Sequence, residues 1–325
     1  EEPFIPDGHV AETAPVYTTE GRNLEKEAAH RPITCPPVDR VFIPEGPLAQ
    51  LLGPRYRARD GQVRMANLVR QALEQRRHAV IEGGTGIGKS FAYLVPVLWS
   101  GTPAVVSTSN KGLMNQLWEK DIPQLKRIAP KDFEAALLKG RSNYVCAMRW
   151  DALRKQPGLS HLDETLTTIR KGLERVPSGD VERMRLPPKL AYRLTVGSRE
   201  CQGSQCEHFK TCYYERAKHR ALQADLVVTN HAMLCTNTLL ADNRILPIRP
   251  VLIIDEAHQL ARYAVEALTM ALEHDQFWSL INGSVARQAV SDRSELAEIR
   301  EHYEALFREI ARQRPDGRGS GYRAR

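Results

Sequence analysis

The stretch Gly83-Gly-Thr-Gly-Ile-Gly-Lys-Ser90 has the spacing G-x-x-x-x-G-K-[ST], a pattern suited to holding phosphate. Backbone N–H groups of Gly83, Gly84, Thr85, Gly86, Ile87 and Gly88 would wrap the phosphate oxygens, and a following helix would add its positive N-terminal end. Lys89 would set a point charge near the β and γ oxygens, and the Ser90 hydroxyl would ligate magnesium. A second constellation, Asp255-Glu-Ala-His258, closes the apolar run Val251-Leu-Ile-Ile254. An Asp at the carboxyl end of a buried strand is placed to hold the same magnesium, and Glu256 to polarise an attacking water as general base. His258 is expected to couple the nucleotide's state to another binding site.

Four cysteines make the third constellation. Cys146 precedes Cys201 by 55 residues, and Cys206 and Cys212 follow at intervals of 5 and 6. A reducing compartment disfavours disulfides. Four thiolates suit tetrahedral zinc, although zinc ribbons pair their ligands in two short hairpins. One remote and three clustered ligands also occur in iron–sulfur ligation. The spacing therefore asks for a metal and leaves zinc and iron–sulfur open. Cys35 and Cys235 stand apart, and Cys235 reads as a small buried hydrophobe. His208 and His219 read as surface residues or phosphate contacts.

These residues need a scaffold. Val63, Ala66, Val69 and Leu73 recur at three- and four-residue intervals, which predicts a helix over Gln62–Arg76. His78–Glu82, Ala104–Thr108, Ala224–Thr229 and Val251–Asp255 read as strands. A helix is expected from Lys89, kinked or ended at Pro96, and another over Leu113–Leu125, interrupted at Pro123. Alternating strands and helices imply a parallel sheet with crossover helices. Between Arg141 and Arg220 the strand signal fades, which indicates an insertion into the sheet domain. After His258 the pattern is helical, with Leu296, Ile299, Tyr303, Leu306, Phe307 and Ile310 on one face and Asp292 and Glu295 as a capping pair. Residues 1–45 read as an extended, Pro-rich arm, and the Gly/Arg-rich end as frayed.

Composition adds a field. The chain of 325 residues carries a net charge of +7, and residues 141–220 alone hold 16 Lys/Arg against 9 Asp/Glu. The excess thus lies in the cysteine-bearing block, where Arg predominates and Tyr144, Trp150, Tyr192, Phe209, Tyr213 and Tyr214 are interleaved. That suits a polyanion such as nucleic acid. No apolar run reaches the ~18 residues of a membrane helix, and the acidic, Pro-containing start is no secretory signal. A cytoplasmic, nucleoid-associated protein is expected. It lacks an initiator Met, so its numbering is expected to start downstream of the true N-terminus.

Taken together, the chain resembles the DinG/XPD group of superfamily-two iron–sulfur DNA helicases, on the bacterial DinG-like side. Arg59-Asp-Gly-Gln62 followed by Met65 resembles the adenine-reading motif, and Glu82–Ser90 the phosphate loop. Val105–Asn110 with Leu113–Leu117 resembles the motif that touches single strands. Lys139–Cys146 resembles the lead-in to the first cluster ligand; Ala224–Leu234 and the Asp255–His258 box complete the set, over roughly residues 50–260. The resemblance implies ATP, magnesium and a 4Fe–4S cluster on Cys146, Cys201, Cys206 and Cys212, and 5′ to 3′ unwinding of single-stranded and fork-like DNA. It implies an α/β fold, a RecA-like P-loop domain (46–140 and 223–258) with an iron–sulfur insertion (141–222) and the start of a helical arch (259–325). Thr108, Arg141 and Tyr144 would touch DNA, Arg59 and Gln62 the nucleotide, and the arm (1–45) would dock a protein partner. The insertion is expected to be coreless without its cluster. The second motor domain of the family is missing, so a fragment is expected. Two other readings stay open: a cluster-stabilised single-strand binder with ATP-gated affinity, recruited to a CRISPR-associated or repair complex, and a zinc-stapled P-loop ATPase acting on protein.

Overall fold

A computed structural model describes residues 33–155, 160–198, 200–240, 245–269 and 293–312. Four strands, β1 Ala104–Thr108, β2 Ala135–Leu137, β3 Leu226–Asn230 and β4 Val251–Ile254, form one parallel sheet in the order β2-β3-β1-β4. The two central strands are runs of buried Ala, Val and Leu, as expected for a sheet covered on both faces. Val106 pairs with Val228 on one side and Ile253 on the other, which brings the carboxyl ends of β1, β3 and β4 to one edge. The chain leaves the sheet after β2 and returns at β3, so the expected insertion lies between two neighbouring strands.

The main core lies between the sheet and two helices, Asp60–Gln75 and Lys89–Ser100. Lys89–Ser100 runs through Pro96 and stops at Gly101, which adopts φ +66. The helix does not end at Pro96. Every side chain from Ala92 to Leu98 is buried, and this packing outweighs one lost backbone hydrogen bond. The helical run at Lys111–Lys126 does change before Pro123: Leu117–Asp121 form a π turn, with Ile122 N–H bonded to Leu117 O. That turn faces Asp121 inward.

Two expectations are corrected. His78–Glu82 is not a strand; it is irregular, and Val80 is fully exposed. An apolar triplet without a neighbour to share its backbone bonds has no reason to extend into a ladder. Residues 33–42, expected in an extended arm, pack into the core through Cys35, Val38, Val41 and Phe42, and the Cys35 thiol donates to Pro96 O at 3.2 Å. Residues 1–32 of the arm lie outside the described residues, as does Asp292 of the expected capping pair.

The insertion is helical, with Ala147–Arg154, Ser160–Arg175, Pro188–Leu194 and Tyr213–Gln223 as its longer pieces. It is not coreless. Val145, Leu153, Ile169, Val176, Met184 and Leu194 bury one another in a small cluster of their own. What lacks a core is the loop from Thr195 to Cys212, whose only described helical structure is two single 3₁₀ turns. The chain divides into two compact units after Ala267. In the second, Arg293–Arg312 is one helix with Leu296 and Tyr303 buried, Ile299 and Leu306 exposed, and the Tyr303 and Phe307 rings 4.6 Å apart.

Candidate functional site

The Gly83–Gly88 loop leads straight into the buried helix Lys89–Ser100, whose first turn supplies Lys89 and Ser90. Gly88 has φ +84, and a side chain there would collide with the Gln62 amide. Only glycine meets both demands. Gln62 donates to Gly88 O at 3.0 Å, and the Arg59 guanidinium donates to Gly86 O. Arg59 and Gln62 therefore brace the loop's backbone from the start of the neighbouring helix.

The loop and the β4 turn meet. Lys89 Nζ lies 2.7 Å from Glu256 Oε1, across 167 residues of sequence. The Tyr93 hydroxyl, one turn further along the same helix, donates to Asp255 Oδ2 at 3.2 Å. Lys89 holds the Glu256 carboxyl below its usual value, while burial pushes that of Asp255 up against the pull of Tyr93. His258 Nδ1 stands 3.5 Å from Glu256 Oε2 on an exposed side chain. Glu256 itself has φ +55, a left-handed conformation unusual for a residue with a Cβ. Burial also raises the Asp121 carboxyl, which Ser90 and Gln116 contact. Sequence reading missed Tyr93 and Asp121, because an inward tyrosine or aspartate on an apolar helix carries no motif.

The four cysteines come together. Cys146, Cys201, Cys206 and Cys212 line one pocket of about 30 Å³, with Arg141 and His208 also in its wall. Cys146 and Cys212 each occupy the N-cap position of a helix, Ala147–Arg154 and Tyr213–Gln223, where backbone N–H groups favour negative charge. Arg141 donates to Cys201 Sγ at 2.7 Å and lies 4.3 Å over the Tyr214 ring. Burial pushes the Cys212 thiol up, with the first amides of its helix and Arg141 pulling it back. Among the described residues no three His, Cys, Asp or Glu side chains converge on a single-ion site. All four cysteines line the same cavity.

The three residues assigned to DNA fall otherwise than expected. Thr108 is buried at the end of β1, with its hydroxyl on Asn110 O at 3.3 Å. Tyr144 is a core ring whose hydroxyl accepts from Lys139 N–H at 3.1 Å and packs edge-on to Tyr214. Arg141 is spent on Cys201, Tyr214 and Glu215. Aromatic and basic residues in an Arg-rich block need not face solvent; here they wall a pocket.

One charged residue escaped notice. Lys139 is fully buried, 2.8 Å from Asp180 and 3.0 Å from Glu182, with Asn115 at 3.4 Å. Asp180 also caps the short helix Val181–Met184. The sheet end of the chain and the insertion are thus joined through one ammonium group.

Comparison with known proteins agrees with this geometry. The DEAD_2 family profile matches residues 195–277, a stretch that holds three of the pocket cysteines, β3, β4 and the Asp255 turn. The ATP-dependent DNA helicase YoaA of Haemophilus influenzae is 35% identical over 253 residues, 75% of this chain and 39% of that protein. The chain is thus similar in sequence to the DinG and YoaA helicases. The ATP-dependent helicase DinG of Mycobacterium tuberculosis is 38% identical, covering 62% of this chain and 34% of its own length. The 3'-5' exonuclease DinG of Bacillus subtilis is 36% identical over 69% of this chain and 25% of its own. The chain therefore spans about two fifths or less of these DinG-type relatives. The parallel sheet agrees with an α/β, RecA-like fold, and no described helix is long and apolar enough to cross a membrane.

Proposed function

We propose that this chain is the ATP- and strand-binding half of a DNA helicase that moves 5′ to 3′ on single-stranded and fork-like DNA in the bacterial cytoplasm. The observation that carries the reading is the meeting of Lys89 with Glu256, and of Tyr93 with Asp255, at the sheet edge directly beside a glycine-built loop. In it, Gly83–Gly88 cradle the phosphates, Lys89 attracts the β and γ oxygens, Ser90 and Asp255 would hold magnesium, and Glu256 orients water. Bound magnesium would supply charge neutralisation at the phosphates. Lys89 Nζ pairs with Glu256 at 2.7 Å, and moving the ammonium onto phosphate oxygens would free the carboxylate to act as a base. The exposed Asn110–Gly112 stretch at the same edge, rather than the buried Thr108, is the part of that motif left to meet a strand.

The cysteine pocket supports a 4Fe–4S cluster on Cys146, Cys201, Cys206 and Cys212. Four cysteines lining one cavity suit a group in which each thiolate binds its own iron, and two helix N-termini and Arg141 offset the anionic charge. Residues 33–140 and 223–258 form the motor domain, 141–222 the cluster insertion and 259–325 the start of an arch. The stretch before residue 33 would serve to dock a protein partner.

The test uses the encoded full-length protein, purified without oxygen. Helicase action predicts strand-stimulated ATP hydrolysis that Lys89→Ala abolishes, with iron near four per chain. Strand binding that survives Lys89→Ala alongside no hydrolysis in the parent would make it a binding module. One zinc per chain would replace the cluster.

A further inference from the structure

His231 follows β3 directly and begins the helix His231–Leu239. Its ring is fully buried where β1, β3 and the Asp255 turn come together. Nδ1 lies 2.7 Å from the buried Ser107 Oγ of β1. Nε2 is buried and has no hydrogen-bond partner among the described residues. Tyr263 stands edge-on to the ring, centroids 5.6 Å apart, and its hydroxyl donates to Ser109 O. Asp255 N–H donates to Ser107 O at 2.9 Å, and the carbonyls of Asp255 and Glu256 face the imidazole without a bond to Nε2. Burial holds the imidazole below its usual value, so at neutral pH it carries one ring proton.

With the Ser107 hydroxyl donating to Nδ1, the proton sits on Nε2, a buried donor whose nearest acceptors, the carbonyls of Asp255 and Glu256, stand outside good hydrogen-bond geometry. Such a group is costly and calls for an explanation. The turn in front of it holds Glu256 in a left-handed conformation, also a costly arrangement for a non-glycine residue. Two unrelaxed features thus face one another across one contact, on the path between the candidate nucleotide turn and Ser107–Asn110.

We propose that His231 is a positioning residue coupling the Asp255–His258 turn to the end of β1. When nucleotide shifts the turn, Nε2–H closes on a carbonyl of Asp255 or Glu256, and through Ser107 the ring fixes Thr108–Asn110. This rests on the reading above, in which that turn serves ATP and the β1 end meets the strand.

Two variants test it in the full-length protein. His231→Asn keeps an amide near the Nδ1 position and loses the Nε2 donor; His231→Gln places a donor near Nε2. The Asn variant should lose about 10-fold in strand-stimulated ATP turnover while unstimulated turnover stays within about 2-fold, and Gln should retain more than Asn. Amide exchange at Thr108–Asn110 should slow when a non-hydrolysable ATP analogue is added to the parent and the Gln variant, but not to the Asn variant. Equal loss of both turnovers in both variants, or an unchanged exchange response in the Asn variant, would reduce His231 to packing. A parent protein without any ATP turnover would sink the helicase reading instead, and the exchange response would still decide the role of His231.

Discussion

The phosphate loop and the thiol pocket are both built at helix N-termini, but they are held in place by different means. The loop stands on a sheet: Gly88 leads into a helix buried from Ala92 to Leu98, and Gln62 and Arg59 brace it from a second helix. Its geometry is fixed by protein contacts alone. The pocket closes around a loop, Thr195–Cys212, that has almost no apolar support. Its own thiols must hold it. Preorganisation comes from the core in one region, and in the other it would come from the proposed cluster.

The largest effect should come from removing the pocket's staple. With the proposed cluster in place, Cys201→Ser, or iron chelation, should open residues 195–212 to protease by about 10-fold or more, while the neighbouring helices with their own core resist and ATP affinity is unchanged. Loss of the whole 141–222 block instead would mean that the small core around Ile169 does not stand alone. Next is the joint between the regions. Lys139→Met strands Asp180 in the interior and should cost about 3–5 kcal/mol by denaturant unfolding, with a partial return in Lys139→Met/Asp180→Asn. Lys89→Ala should weaken ATP binding about 10- to 100-fold with no change in cofactor content, since it removes one charge-assisted contact. Gly88→Ala should cost about 1–2 kcal/mol through its positive φ and displace the Gln62 amide, again without disturbing the thiols.

The smallest effect is on pH. The folded pKa of Glu256 is lowered by Lys89, so this pair stabilises the fold above the unfolded carboxyl value of about 4.3 and is lost as pH falls through the lower folded value. Parent stability should drop more between pH 6 and pH 3 than that of Glu256→Gln. Asp255 runs the other way: burial raises it, so its ionisation costs stability as pH rises.

Sequence alone carried the sheet-bound half well. The glycine loop, β1, β3 and β4 announce themselves through period, apolar runs and an Asp at a strand's end. The three-residue β2, Ala-Ala-Leu, has too short a signal to read. His78–Glu82 shows the converse, since an apolar triplet gives composition but no pairing partner. In the insertion the cysteine spacing pointed to one shared pocket, and the four thiols do share it. The sequence did not disclose that Arg141 and Tyr144 turn inward, because burial of a polar side chain depends on partners that lie 36 to 73 residues away, such as Asp180 and Tyr214.

Lys139 brings a further consequence. The ammonium belongs to the stretch just after β2, whereas both carboxylates belong to the cysteine-bearing segment. An exchange of that segment with one from a distant homologue would have to bring matching acids, or else leave a cation marooned in oil. Substitutions on the exposed rim of the segment should be borne more easily than any at its root, where Lys139 and its acids must change together.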